Sequence, residues 1–200
     1  MLAIRGGAHK LLFADPRPGL NGKTLAQVAE EWDVSASQAA RRILREENAA
    51  VMNLDLYDGW NTRYLARKSW MMTCTDGRDP GPGQRIIHPR AFGAFTKKLE
   101  DFVIDEGLLT MPFAIRSMTG LAADFLAWTD RGYLREGYYA DLTVLNPERI
   151  HARATFENPR QYSEGTVHVL VNGTFALRDG APTGALAGRA LVRGGSPYKQ

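Results

Sequence analysis

The chain has 200 residues, 44% of them hydrophobic and 24% charged, a composition of globular chains with one large or two small domains that excludes collagen-like and intrinsically disordered ones. Twenty-five Lys and Arg against 22 Asp and Glu leave a net charge of +3. That charge is spread along the chain, so no clustered basic face points to nucleic acid. No apolar run approaches the ~18 residues of a membrane span, and the first residues lack the apolar core and cleavage site of a signal peptide. The single cysteine, Cys74, excludes an intramolecular disulfide and a cysteine-rich zinc site, and fits a reducing, cytoplasmic compartment.

Residues 1–22 carry Gly6-Gly7, Asp15-Pro16, Pro18-Gly19 and Asn21-Gly22 and read as loop after a short apolar start at Leu2–Ile4. A helix opens at Thr24, with Leu25, Val28, Ala29 and Trp32 on one stripe and Gln27 placed to complete a capping box. A second helix starts near Ser35 or Ser37 and turns Ala36, Ala39, Ala40, Ile43 and Leu44 inward. Ala50–Leu56 reads as a short strand, 59–68 as a helix, and Trp70–Cys74 as a nearly continuous apolar strand. Such a run suits a strand buried on both faces of a parallel sheet, so 50–74 is expected to form a compact βαβ unit.

A long loop, Thr75–Arg90, follows. Helices are expected at about 91–106, stopped by Gly107, then at 111–118 and 120–127. Beyond residue 130 glycines punctuate short strands, most clearly Ala140–Leu145, Val167–Val171 and Phe175–Arg178, with Asn172-Gly173 as a hairpin turn. The chain therefore runs from an α/β part into a β-rich part.

Asp76 is the leading candidate for chemistry. It stands just past an apolar strand, where α/β folds bind ligands, and a carboxylate there can act as general base or bind a metal. An ordinary Asp-Gly turn is the plain alternative. In His88-Pro89-Arg90, Pro89 restricts His88 to extended backbone, and Arg90 at the start of the next helix offers the planar fork that binds a carboxylate. A helix-start arginine paired with Asp79 or solvent is the plainer account. Cys74 reads as a buried core residue, Asp141 as a residue leading into a strand, and Lys97, Lys98, Glu100 and Asp101 as the solvated face of an amphipathic helix. The four histidines, His9, His88, His151 and His168, show no H-x-H, H-x-x-x-H or H-E-x-x-H spacing, so contiguous motifs supply no usual metal set.

The stretch from Trp70 to Arg90, with Met71-Met72-Thr73-Cys74-Thr75-Asp76-Gly77 and His88-Pro89-Arg90, resembles the last barrel strand and following loop of N-acyl-D-amino-acid deacylases of the amidohydrolase superfamily. The similarity continues in order through Met118-Thr119-Gly120-Leu121, Asp130-Arg131-Gly132, Gly137–Val144, Val171-Asn172-Gly173 and Gly188–Leu191. Upstream it takes in Leu20–Ala29.

The resemblance implies an α/β plus β fold: the last strands and helices of a (β/α)8 barrel, then the C-terminal strands of a small β-sandwich. Residues 1–130 would hold barrel strands seven (Ala50–Leu56) and eight (Trp70–Cys74) with flanking helices, and 131–200 the C-terminal part of the small β domain. The implied reaction is zinc-dependent hydrolysis of the acyl C–N bond of N-acyl-D-amino acids. Asp76 would take a proton from the metal-bound water and pass it to the leaving amine, and is the one residue here that could also touch the metal. Arg90, with His88 beside it, would meet the substrate carboxylate. The family's main zinc ligands lie upstream of the residues present, so the chain alone is expected to be inactive. Implied partners are a small N-acyl amino acid and either an N-terminal companion chain or a second copy, with no nucleic acid and no membrane. The alternative is a non-catalytic remnant acting in binding or assembly.

Overall fold

The computed structural model describes residues 6–13, 19–46, 51–54, 59–77, 81 and 87–191. The chain divides into two compact units. One comprises Met1–Arg63, Gly77–Ala91 and Ala154–Gln161, the other Tyr64–Asp76, Phe92–Arg153 and Tyr162–Gln200.

The first unit opens on a 3-10 turn, Ala8–Lys10, and strand β1, Leu11–Phe13. Helix α1, Leu25–Glu31, begins where the sequence places it. Gln27 N–H donates to Thr24 Oγ1 at 3.3 Å and Thr24 N–H donates to Gln27 Oε1 at 2.8 Å, so two orphan donors are satisfied at once. Helix α2, Ala36–Glu46, repeats the device with Ser35 and Gln38, which settles its start at Ser35. Leu25, Val28 and Ala29 close on Ala39, Ile43, Phe13 and Leu20 as one core.

Leu44, expected inward, is 64% exposed. It lines an open apolar groove with Leu11, Phe13, Ile43 and Val51.

The expected βαβ unit does not form among the described residues. Strand β2, Val51–Asn53, pairs antiparallel with β1, Leu12 opposite Met52; Ala50, Asp55 and Leu56 lie outside the described residues. Helix α3, Gly59–Ala66, follows as expected. Trp70–Cys74 joins no ladder, and Trp70 is 62% exposed. An apolar run becomes a buried strand only where strands flank it on both sides; here the Thr73 N–H donates instead to Ser117 O at 2.9 Å.

Helix α4, Arg90–Leu99, leads into the second unit and widens into a π-helix over Glu100–Asp105. Gly107, at φ +58, ends it. Helices α5, Met111–Met118, and α6, Gly120–Phe125, follow, the first capped by the Thr110 hydroxyl. Leu99, Leu109, Ala114, Ala66 and Ile150 form this unit's core.

The β-rich part is one antiparallel sheet in the order β3-β4-β5-β6: Leu142–Leu145, Thr166–Val171, Thr174–Arg178 and Ala181–Pro182. Val171 pairs with Thr174 across Asn172 at φ +50 and Gly173 at φ +80. Two positive φ values in a two-residue turn match the right-handed twist of the strands, as the Asn-Gly pair foretells.

Candidate functional site

Asp76 lies at the end of the irregular stretch Met71–Gly77 and is exposed. Its φ of +44 puts it in the left-handed region, which aspartate takes more readily than most residues with a side chain because its carboxylate can hydrogen-bond locally. Cys74, expected buried, is exposed, because no flanking strand covers this run among the described residues.

Thr73 is tied to α5. Its hydroxyl lies 3.1 Å from Ser117 Oγ, and the Lys98 ammonium donates to both hydroxyls at 2.7 Å. Burial pulls the pKa of Lys98 below its ordinary value. Lys98 is therefore not part of a solvated face.

His88 and Arg90 are brought together in the first unit; Asp76 belongs to the second. Helix α4 starts at Arg90, as the sequence implies. Arg90 N–H donates to His88 Nδ1 at 3.1 Å, and Ala91 N–H donates to His88 O at 3.0 Å. The imidazole thus caps the helix with Nδ1 as acceptor, which leaves the ring hydrogen on Nε2. Its edge rests on Phe156, centroids 5.1 Å apart. The proposed pair Arg90 and Asp79 falls partly on Asp79, which lies outside the described residues.

Glu100 also departs from the solvated-face reading. It accepts from His151 Nδ1 at 2.5 Å and from Ala152 N–H at 2.9 Å. Burial alone would raise its carboxyl pKa, but these two bonds, with the charges of His151 and Lys97, outweigh burial and hold it below the usual range. Lys97 and Asp101 do form an exposed pair at 3.0 Å.

The shared motifs prove to be packing devices where their contacts are visible. A Cβ on Gly120 would sit 2.4 Å from the Tyr133 ring, and one on Gly132 would sit 2.4 Å from Ala123 Cβ. Tyr133 Oη donates to Asp124 at 2.6 Å, and this bond raises its pKa. Arg131, buried, donates to Asp130 Oδ1 at 3.2 Å and to Asp141 Oδ2 at 2.6 Å, with its guanidinium over Tyr139. Asp141 Oδ1 in turn accepts from Asn172 N–H at 2.7 Å. Asp141 thus anchors the residues leading into β3 to the hairpin turn.

Among the described residues no group of three or more His, Cys, Asp or Glu side chains could hold a metal ion. The described residues do not by themselves fit a catalytic zinc, which needs three protein ligands and an open position. No helix of the described residues is long and apolar enough to cross a membrane.

Lys98, Thr73, Ser117 and the Glu100–His151 bond escaped the sequence reading. Nothing in the AFTKKLEDFVIDE pattern distinguishes Lys98 from Lys97, and Glu100 meets its partners 51 and 52 positions on.

Comparison with known proteins follows the same motifs. The sequence profile of the amidohydrolase family matches residues 35–176. An N-acyl-D-glutamate deacylase of Alcaligenes xylosoxydans xylosoxydans is 33% identical over 94% of this chain and 37% of its own length. A D-aminoacylase of the same organism is 34% identical over 95% of this chain and 38% of its own.

A solved D-aminoacylase, studied for the role of its binuclear metal centre, superposes with a TM-score of 0.78 at 31% identity, over 92% of this chain and 38% of its own. The N-acyl-D-glutamate deacylase of Bordetella bronchiseptica, complexed with zinc and a phosphonate mimic of the reaction's tetrahedral intermediate, gives 0.72 at 29%, over 91% and 38%. The chain thus spans less than two-fifths of these relatives. The resemblance to the C-terminal portion of N-acyl-D-amino-acid deacylases is borne out, and the chain belongs to the amidohydrolase family.

Proposed function

We propose that the chain is part of an enzyme that hydrolyses the acyl C–N bond of N-acyl-D-amino acids, and that it is inactive by itself. One observation carries this reading: two deacylases match 94–95% of the chain while the chain spans only 37–38% of them. In this reading residues 1–130 hold barrel strands seven and eight with their helices, and 131–200 the C-terminal part of the small β domain. An N-terminal companion, or a second copy of the chain, completes the site, and the single cysteine supports a reducing, cytoplasmic compartment.

Asp76 would accept a proton during attack on the acyl carbon and return it to the leaving amine nitrogen. General acid–base groups contribute roughly 10²–10⁴-fold. Arg90 would hold the amino acid's free carboxylate through two parallel hydrogen bonds, with the bond its N–H donates to His88 Nδ1 orienting its backbone. The described residues do not by themselves supply a zinc site.

The purified chain, assayed with N-acetyl-D-methionine and by elemental analysis, should show no turnover and no stoichiometric zinc. Co-expression with the N-terminal portion of a matching deacylase should restore turnover. In the restored enzyme Asp76→Asn should lower kcat by ~10²-fold or more with substrate affinity kept. Arg90→Lys should raise KM more than it lowers kcat. Turnover by the chain alone would refute the reading.

A second reading, a non-catalytic remnant that binds or assembles, draws on the missing three-ligand group among the described residues. Complementation that yields a folded complex, loaded with zinc but without activity, would favour it.

A further inference from the structure

The Lys98 cluster lies outside the chemistry proposed above, and its hydrogen bonds assign themselves. Ser117 is 3% exposed and donates its hydroxyl hydrogen to Ala114 O at 2.6 Å. Ser117 Oγ therefore accepts from Thr73 at 3.1 Å and from Lys98 at 2.7 Å, and Thr73 Oγ1 accepts from Lys98 at 2.7 Å. With its hydrogen committed to a backbone carbonyl, Ser117 is not a serine activated by a lysine. The cluster holds atoms in place.

What it holds is one residue of the Met71–Gly77 stretch. Thr73 is bound three ways: its N–H to Ser117 O at 2.9 Å, its hydroxyl to Ser117 Oγ, and the same oxygen to the ammonium. Among the described residues the Lys98 ammonium meets these hydroxyls and no carboxylate. Three residues beyond Thr73, Asp76 stands at φ +44. Aspartate is among the few residues besides glycine that take this region as single residues, and the path of the chain through Thr73 presents Asp76 to it.

We propose that Lys98 is a positioning residue: it grips Thr73 against Ser117 at the end of α5, fixes the Met71–Gly77 run, and so holds Asp76 in the left-handed region. Its consequence for turnover rests on the role proposed for Asp76; its consequence for conformation does not.

NMR of the full 200-residue chain tests it, since backbone carbon shifts report the sign of φ at Asp76. Lys98→Met keeps the stem and removes the ammonium, Thr73→Val removes the hydroxyl at nearly equal volume, and Lys98→Arg keeps the charge and donors. Lys98→Met and Thr73→Val should abolish the left-handed shifts of Asp76 while those of Ala114, Ile150 and β3–β6 stay in place, and Lys98→Arg should retain them. Unchanged Asp76 shifts in both Lys98→Met and Thr73→Val would overturn the proposal. So would general loss of shift dispersion in both, which would make the cluster a fold element. If Lys98→Met alone unfolds, Thr73→Val decides by the same criterion. Full activity of Asp76→Asn in a complemented enzyme would remove the proposed function and leave this result standing.

Discussion

Gly132 of the Asp130-Arg131-Gly132 motif offers a direct separation of packing from chemistry. Its φ is +84, and an added Cβ would lie 2.4 Å from Ala123 Cβ and 3.3 Å from Gly120 Cα. Ala123 is 2% exposed and lies on α6, so its methyl has no free space into which to retreat.

Gly132→Ala therefore has two costs. Left-handed backbone costs roughly 1–2 kcal/mol for a residue with a Cβ, and overpacking adds about 1–3 kcal/mol. The reduced freedom of the unfolded chain returns about 0.4–1 kcal/mol. The net expectation is about 1–5 kcal/mol of destabilisation, and at about 2–4 °C per kcal/mol for a chain of this size Tm should fall by at least ~2 °C.

Gly137→Ala is the control. Its φ is +78, but nothing lies within 4 Å of the added Cβ, so only the strain remains, about 1 kcal/mol after the same correction. Denaturant and thermal unfolding followed by circular dichroism compare the two. Equal destabilisation of the two variants would refute the packing account of the motif.

Glu100 carries a pH prediction. Its carboxyl pKa is lowered in the folded chain, so its contribution is full above the unfolded value of about 4.3 and is lost as pH falls through the folded value. Unfolding free energy measured from pH 7 to 3 should show Glu100→Gln less stable near neutrality and the difference closing in acid; a constant difference would count against the assignment. Asp141→Asn should weaken both the bond to Arg131 and that to the Asn172 N–H. Because Arg131 keeps Asp130, the loss should fall below the roughly 3–5 kcal/mol of a fully broken buried pair, and a neutral effect in urea unfolding would contradict the anchor described here. Asn172→Ala places a β-carbon without a local hydrogen-bonding group at φ +50 and removes the Asn172 Nδ2 bond to Ala187 O at 2.6 Å. It should destabilise the chain by about 1–2 kcal/mol, whereas Asn172→Gly, free of the backbone strain, should cost less.

Local order was legible in the residues because its causes are local. Thr24 with Gln27 starts a helix whatever surrounds it, Gly107 stops one, and Asn172-Gly173 closes a hairpin, since each satisfies neighbouring backbone groups or accepts a positive φ within a few positions. The order of motifs from Trp70 to Leu191 likewise sufficed to name the family. Tertiary structure decided what depends on distant neighbours. Trp70–Cys74 is apolar enough for a buried strand, yet joins no ladder among the described residues, and Cys74 is exposed where the pattern buries it. Lys97 and Lys98 are indistinguishable in sequence, but one faces Asp101 in solvent and the other bridges Thr73 and Ser117. Asp76-Gly77 reads as an ordinary turn signal, and only the structure shows Asp76 itself at φ +44. Burial, pairing and strain are set by atoms tens of residues away, and no local pattern encodes them.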